Sequence, residues 1–364
     1  MKAETLGENV SNPVVFKGPH SKPLLAPRGV FLTEKVFAIC DTGQNRVLIW
    51  LKPEEGYERE PDVILGQIDE VSTSRNQGEE ASASTLLYPT SFWSDGNQVI
   101  VADAWNHRVL IWKTFPVSNG AAADIVLGQP DFKSNLPNVK GMGKEPSSNS
   151  LNWPYGIFCD GEKLWIADTG NRRILVFTSI PTESYQGADY VLGKQSFSER
   201  DYDSDDPVWP YSVKISDRGE MIVSDTQFYR VLYWKNWEEA MAGKAQIIFG
   251  QQDLEQSGQN QFMLKPNRRC LNWVYDSCFY KEGVIINDTG NSRLLFFESI
   301  PTVNNAEATL VIGRPDFNTS SEYSETLMGT ENAIYWPFSI GVWNETLVIA
   351  DTGNHRVITT QLNF

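Results

Sequence analysis

The sequence repeats one hairpin-like segment six times, and this repetition limits the fold more than any other feature. In each copy an aspartate is followed five residues later by an arginine, in segments of the type Asp-Thr-Gly-Asn-x-Arg. Successive aspartates are 62, 65, 57, 63 and 63 residues apart. A nearly even period of this length is the signature of a repeat architecture. The aspartates are Asp41, Asp103, Asp168, Asp225, Asp288 and Asp351, and the arginines are Arg46, Arg108, Arg173, Arg230, Arg293 and Arg356.

Each copy has the features of a small antiparallel sheet. Apolar β-forming residues flank a turn of Thr, Gly and Asn, which predicts a hairpin of two strands. A segment such as Trp153-Pro154-Tyr155 precedes the hairpin and predicts another strand, because proline is tolerated at the first residue of a strand. A segment such as Val63-Ile64-Leu65-Gly66-Gln67 follows the hairpin and predicts a fourth strand.

Six units of four strands predict an all-β fold, a six-bladed β-propeller of four-stranded antiparallel blades. A length of 364 residues would by itself suggest two or three domains. The repeat overrules that estimate and predicts a single domain over residues 1–364. The last hairpin has no fourth-strand segment after it, whereas one stands near the start of the chain, at residues 14–18. We therefore expect residues 14–18 to form a closing strand that pairs into the last blade.

The hairpin motif, with Val-Leu-Ile-Trp after its arginine, resembles the NHL-repeat family of β-propellers over residues 14–364. The resemblance is specific for the fold. It is less informative about function, because that family includes scaffolds, RNA-binding and peptide-binding modules, and a lyase.

The repeated polar residues favour a structural role. The aspartate at the end of one strand and the arginine at the start of the next should meet across the turn as six local ion pairs, which argues against a ring of metal-binding carboxylates. An aromatic residue stands nine positions after most of the aspartates, and we expect it to pack between blades. These residues are Trp50, Trp112, Phe177, Trp234 and Phe297.

The candidate binding site lies where the first strand of each blade begins. The links between blades are long, at about 68–87, 130–152, 195–208, 252–272 and 315–335, and long loops are often functional or mobile. The first strands should begin on the same face as these links, beside the mouth of the channel. Aromatic and polar residues there could form a pocket or could pack between blades. The candidates are Arg28, Thr90, Trp153, Tyr155, Trp209, Tyr211, Trp273, Tyr275, Asp276 and Phe338.

Asp276 departs from the repeat, because other blades have Gly or Ser at this position. A carboxylate near the channel, together with Arg28, could bind a polar ligand or act in acid–base chemistry. It could equally be a hydrogen-bonded residue of the channel wall.

Neither metal nor nucleophilic catalysis is indicated. The lyase of the resembled family holds zinc through histidines near its channel, but the three histidines here do not fall at the starts of the inner strands. His107 and His355 occupy the variable position of two hairpin turns, and His20 lies near the start of the chain. No Gly-x-Ser-x-Gly segment is present. The sequence predicts no metal site and no cofactor.

The net charge and the cysteine content limit the classes of partner and the cellular location that we expect. With 31 Lys and Arg against 46 Asp and Glu, the net charge is −15, which disfavours nucleic acid. An acidic stretch at 199–206 is expected on the same face as the links. No apolar run is long enough to span a membrane, no secretory signal is evident, and the four cysteines form no metal-binding pattern. We expect a cytoplasmic protein with reduced thiols and without a membrane partner.

The sequence thus predicts a propeller that binds a protein, a peptide or a small molecule at its loop-rich face. The alternative is a lyase or hydrolase that uses polar residues at the channel mouth, among them Arg28, Asp276 and Tyr155 or Tyr211.

Overall fold

The computed structural model confirms the predicted six-bladed β-propeller fold, with six four-stranded antiparallel sheets. It describes residues 6–7, 9–56, 59–200, 208–319 and 333–364. The chain packs into two compact units, which we call the first unit (Gly18–Pro210) and the second unit (Met1–Lys17 with Tyr211–Phe364). The prediction of a single domain over residues 1–364 stays a prediction.

The first unit contains three complete blades, each a meander in which consecutive strands pair. Blade one has β2 (Gly29–Leu32), β3 (Val36–Asp41), β4 (Arg46–Leu51) and β5 (Val63–Leu65). Blade two has β6 (Pro89–Ser94), β7 (Val99–Asp103), β8 (Arg108–Trp112) and β9 (Ile125–Leu127). Blade three has β10 (Pro154–Cys159), β11 (Leu164–Asp168), β12 (Arg173–Phe177) and β13 (Tyr190–Leu192).

The second unit contains the other three blades, although Pro210 at the start of blade four belongs to the first unit. Blade four has β14 (Pro210–Ile215), β15 (Met221–Asp225), β16 (Arg230–Trp234) and β17 (Ile247–Phe249), with a short helix α1 (Trp237–Ala242) before β17. Blade five has β18 (Val274–Tyr280), β19 (Gly283–Asp288), β20 (Arg293–Phe297) and β21 (Leu310–Ile312). Blade six has β22 (Ser339–Trp343), β23 (Thr346–Asp351), β24 (Arg356–Leu362) and β1 (Val10–Phe16).

The predicted closing strand is confirmed, with different bounds. β1 pairs antiparallel with β24, where Val14 faces Thr359 and Phe16 faces Val357. The strand begins at Val10 and ends at Phe16, so Lys17 and Gly18 lie outside it. Gly18 has a φ of +111° and redirects the chain. The fourth strand of the last blade therefore comes from the other end of the sequence.

Apolar residues of neighbouring blades form the core within each unit. In the first unit, Val47 and Ile49 of blade one pack in one cluster with Val101 and Trp112 of blade two. Trp112, Phe177 and Phe297 pack against residues of the preceding blade, as predicted, and all five aromatic residues that follow the hairpins are buried. The buried members are Trp50, Trp112, Phe177, Trp234 and Phe297.

The six Asp–Arg ion pairs are present and buried, as the repeat predicts. In every hairpin the arginine Nε donates to an aspartate Oδ2 over 2.6–2.8 Å. The other carboxylate oxygen accepts the backbone N–H of the residue sixteen positions earlier. This contact involves Leu25, Leu87, Asn152, Asn272 and Tyr335.

Four of the arginines, Arg46, Arg108, Arg173 and Arg293, also bind backbone carbonyls in the segments before and after their blades, which the sequence did not reveal. Arg173 donates from Nη1 to the carbonyl of Phe197 in the following link, and from Nη2 to Ser147 and Ser150 in the preceding link. The contact to the carbonyl 24 residues downstream recurs at 2.5–2.7 Å in five blades. One buried guanidinium thus joins a hairpin to two loops.

The outer strands of several blades have their edges covered by the neighbouring blade of the same unit. Ile64 in β5 accepts the N–H of Gly120 and donates its own N–H to Asn119 Oδ1. Val126 in β9 and Ile248 in β17 make the same pair of contacts, with Ser184 and Tyr185 and with Asn304 and Asn305. The exposed ladder groups of an edge strand are in this way satisfied within the chain.

Asp168→Asn should destabilise the protein by about 3–5 kcal/mol, because the substitution leaves the charge of Arg173 buried without its counter-ion. Chemical unfolding of the purified variant measures the effect. The matched control is Glu162→Gln, which removes an exposed carboxylate beside Lys163 and should change stability by less than about 0.5 kcal/mol. Equal stabilities of the two variants would contradict a central role for the buried pairs.

Candidate functional site

The aromatic residues just before the first strands have an uncommon backbone conformation. Tyr88, Trp153, Trp273 and Trp336 have φ values of 61°, 55°, 50° and 46°, and Ala26 in blade one has 48°. Left-handed φ angles are rare for bulky side chains and require support from the surrounding structure. The residue that follows begins the strand in three blades, as at Pro89, Pro154 and Val274.

At Tyr88, Trp153 and Trp336 the support comes from the variable residue of the preceding hairpin turn. Asn45 Oδ1 accepts the N–H of Tyr88 over 3.0 Å, and His107 Nδ1 accepts the N–H of Trp153 over 2.9 Å. Ser292 Oγ accepts the N–H of Trp336 over 3.1 Å. From the sequence alone this position of the turn was uninformative, because the residue there differs from blade to blade. Asn45, His107 and Ser292 can each accept a hydrogen bond, which is a partial signal of the role, whereas Arg172 at the same position of blade three has no acceptor.

In the first unit, three of the predicted site residues meet around Tyr155. Arg28 Nη1 donates to Tyr155 Oη over 3.1 Å, and Thr90 Oγ1 donates to the Tyr155 carbonyl over 2.6 Å. Trp153 packs edge-on against the Tyr155 ring, with ring centres 6.1 Å apart. Trp209 lies elsewhere in this unit, with the Arg172 guanidinium 3.9 Å from its ring centre.

The Arg28 guanidinium also lies 5.1 Å from the ring centre of Tyr88. Burial raises the pKa of the Tyr88 phenol, and the positive charge of Arg28 opposes that shift. Tyr88 in turn stacks on Trp105, with ring centres 4.3 Å apart and planes 8° from parallel. Sequence reasoning missed Trp105, although it stands where four other hairpins have glycine.

In the second unit, the predicted residues divide into a buried group and an exposed group. Tyr211, Tyr275 and Phe338 are buried and contact one another, with ring centres 4.9 Å apart for the tyrosines and 4.1 Å for Tyr275 and Phe338. Trp273 and Trp336 are 42% and 48% exposed. The three buried rings therefore fit the expectation of packing between blades, whereas Trp273 and Trp336 leave much of their surface exposed.

Asp276 is buried and engaged on both carboxylate oxygens. Its Oδ2 accepts from Ser339 Oγ over 2.9 Å and from the N–H of Ile340 over 3.1 Å. Its Oδ1 accepts the N–H of Ser277 over 2.9 Å and lies 3.6 Å from Lys214 Nζ. These contacts match the hydrogen-bonded wall residue that the sequence allowed. Arg28, its suggested partner, belongs to the other unit.

Three of the long links are anchored by asparagine pairs. Asn76 and Asn106 exchange amide hydrogen bonds of 2.8 and 3.1 Å between a link and a hairpin turn. Asn138 with Asn171 and Asn260 with Asn291 repeat the arrangement. Residues 201–207 of the link at 195–208, with most of the acidic stretch at 199–206, and residues 320–332 of the link at 315–335 lie outside the described residues.

Within the described ranges, no group of three or more His, Cys, Asp or Glu side chains is placed to hold a metal ion. Across the same residues, no helix is long and apolar enough to cross a membrane.

The chain was compared with known proteins. No family model matches it, and no curated protein matches it. The solved structure of a streptogramin B lyase aligns with 97% of this chain and 98% of its own length, at 12% identity and a TM-score of 0.47. Virginiamycin B lyase from Staphylococcus aureus aligns over 96% and 98%, at 11% identity and 0.46. The computationally designed Ika8 protein aligns over 92% and 70%, at 6% identity and 0.42. Likenesses at this level carry no argument about function.

We expect the protein to lose stability at acidic pH because His107 then becomes protonated. Burial lowers the pKa of His107 to about 4, and its Nδ1 must be unprotonated to accept the Trp153 N–H. The unfolded chain takes up this proton near pH 6.5, whereas the folded protein does so near pH 4. The contribution of unprotonated His107 to the free energy of unfolding is therefore complete above pH 6.5 and is lost as the pH falls towards 4. At pH 5 the loss is about 1–2 kcal/mol.

The matched variant is His107→Asn, which keeps an acceptor of the kind that Asn45 provides in blade one and tolerates a left-handed backbone. Unfolding of both proteins at pH 7.5 and pH 5 measures the difference. We expect the variant to lose less stability than the wild type on acidification. A pH dependence that is the same in both proteins would contradict the role of His107.

Proposed function

We propose that this chain is a propeller of the NHL-repeat type that acts as a binding module for a protein or peptide partner. The observation that carries the proposal is the exposure of Trp273 and Trp336 on left-handed backbone positions. Strained conformations of bulky residues persist where the surroundings hold them, and they concentrate at functional sites.

The exposed ring of Trp336 is held in place before any partner arrives. The backbone of Trp336 is fixed by Ser292, and its ring stacks on Tyr335, with centres 5.4 Å apart and planes 19° from parallel. Tryptophan contributes disproportionately to binding energy in protein interfaces. A ring that is already ordered loses little conformational entropy on binding.

The composition supports the choice of partner and the location. A net charge of −15 disfavours nucleic acid as a ligand. All four cysteines are free and buried, as expected for a protein of a reducing compartment, so we place the module in the cytoplasm.

The double substitution Trp273→Ala and Trp336→Ala should weaken partner binding by at least about tenfold, because hot-spot tryptophans typically contribute 2 kcal/mol or more. Partners are isolated from the source cells with the wild-type protein, identified by mass spectrometry, and measured again by titration as purified proteins. Trp343→Ala is the matched control. Trp343 is 37% exposed and lies at the opposite end of the first strand of blade six. Equal loss of binding in the control would contradict a site at the strand starts.

A second candidate function is an enzyme, and one observation favours it. Arg28 Nη1 donates to the Tyr155 hydroxyl over 3.1 Å, and a tyrosine hydroxyl held in this way is a candidate acid–base group for a lyase or hydrolase reaction. Asp276 is a poor candidate for this role, because both of its oxygens are already engaged.

Tyr155→Phe tests the enzymatic alternative. It removes only the hydroxyl, since Thr90 binds the backbone carbonyl of the residue. If the protein shows turnover in a screen of ester, amide and elimination substrates, the variant should lose about 100-fold or more in kcat. Tyr211→Phe is the control that removes a hydroxyl in the second unit. Full activity of Tyr155→Phe would exclude this residue as the acid–base group.

A further inference from the structure

One hairpin turn departs from the repeat in a way that creates a ligand platform. Gly43, Gly170, Gly290 and Gly353 occupy the second position of the turn in four blades, and Trp105 stands there in blade two. At Gly43 and Gly170 a Cβ atom would lie 2.5 Å from a backbone carbonyl, so these turns exclude a side chain.

The turn of blade two differs slightly from the four turns that carry glycine. The N–H of Trp105 reaches the Leu87 carbonyl over 3.2 Å, whereas the matching bonds at the four glycines measure 2.8–2.9 Å. One face of the indole packs on Tyr88, and the residue is nevertheless 42% exposed.

Four side chains form what we call the Trp105 stack, in the order Arg28, Tyr88, Trp105 and Arg75. Tyr88 covers one face of the indole at 4.3 Å, so the exposed area of Trp105 belongs to its other face and its edges. The Arg75 guanidinium lies 6.0 Å from the indole centre. Other arginines that face aromatic rings, Arg28, Arg172, Arg230 and Arg268, lie 3.9–5.1 Å from the ring centres.

The wide spacing between Arg75 and Trp105 is suited to an inserted ring. A planar ligand needs about 3.5–4.0 Å to each neighbour, or about 7–8 Å in total. Arg75 is exposed, so its side chain can move outward by the remaining 1–2 Å, roughly, without disturbing the core. Its backbone is fixed by the adjacent Asn76, which is paired with Asn106.

The positive charges at the Trp105 stack indicate that its ligand carries a negative charge. Guanidinium groups lie at both ends, Arg28 behind Tyr88 and Arg75 beside the open face of Trp105. Arginine stacks on planar rings and also pairs with carboxylate or phosphate through two parallel hydrogen bonds. A planar ring with an anionic group can satisfy both contacts with a single side chain.

We propose that the Trp105 stack is a binding site for a planar aromatic anion, with the ring between Trp105 and Arg75 and the anionic group on the Arg75 guanidinium. The residues of this site belong to the first unit, whereas Trp273 and Trp336 belong to the second. A failure of the partner-binding proposal would leave it untouched.

Isothermal titration of the full chain with three probes tests the proposal. The first probe is 2-naphthoate, the second is neutral 2-naphthamide, and the third is decahydro-2-naphthoate, which keeps the charge but lacks a planar ring. We expect 2-naphthoate to bind best, by at least about fivefold over either of the others. A parallel titration with 2-naphthyl phosphate shows whether carboxylate or phosphate is preferred, and tight binding of either anion supports the site.

Two variants locate the binding. Trp105→Gly restores the residue that four other hairpins carry, so the protein should keep its melting temperature and lose at least about fivefold in affinity for 2-naphthoate. Arg75→Gln should lower the affinity for 2-naphthoate while leaving that for 2-naphthamide nearly unchanged. Arg269→Gln is the charge-matched control, since Arg269 is an exposed arginine paired with Glu307. Unchanged 2-naphthoate binding in Trp105→Gly, or equal binding of all three probes, would overturn the proposal.

Discussion

The buried ion pair between the aspartate and the arginine of each hairpin is the interaction on which the rest of the structure depends. An arginine charge inside a protein is costly unless it is paired and its donors are all used. Here Arg173 meets Asp168 with Nε and three backbone carbonyls with its Nη groups. Because those carbonyls lie in the links on either side, correct folding of the hairpin and correct placement of the loops become one requirement. The strand starts, where the exposed aromatic residues lie, take their positions from this arrangement.

Much of the fold could be predicted because short segments of the sequence determine it and recur in every blade. The hairpins, the outer strands and the pairing of β1 into the last blade follow from apolar patterning at a regular period. The Asp–Arg pairs could be predicted because their members are five residues apart across a turn. What the sequence did not show is the set of contacts to backbone carbonyls. Those carbonyls carry no residue-specific signal, so the link contacts of Arg173 to Ser147 and Phe197 leave no trace in the sequence.

The candidate site was predictable only in part, for a related reason. The aromatic residues at the strand starts are visible in the repeat, but their exposure is not. Tyr275 and Trp273 are two residues apart, yet the first is buried and the second is exposed. Trp273 has a left-handed φ of 50°, and φ angles of this kind are not indicated by an aromatic residue. Trp105 could not be identified from the residues that the six copies share, because it stands at a position where its copy differs from most of the others.

The coverage of the outer strands also bears on how the protein behaves among other chains. A β-sandwich or an open sheet carries edges through which it can join another sheet, and that route leads to aggregation as well as to assembly. At Ile64, Val126 and Ile248 the outward-facing N–H and C=O groups are taken by the next blade. Further strands therefore have little to pair with at these sides of the blades. Association is directed instead to the ends of the strands, where side chains rather than backbone groups decide what is recognised, and a repetitive β protein can in this way remain selective.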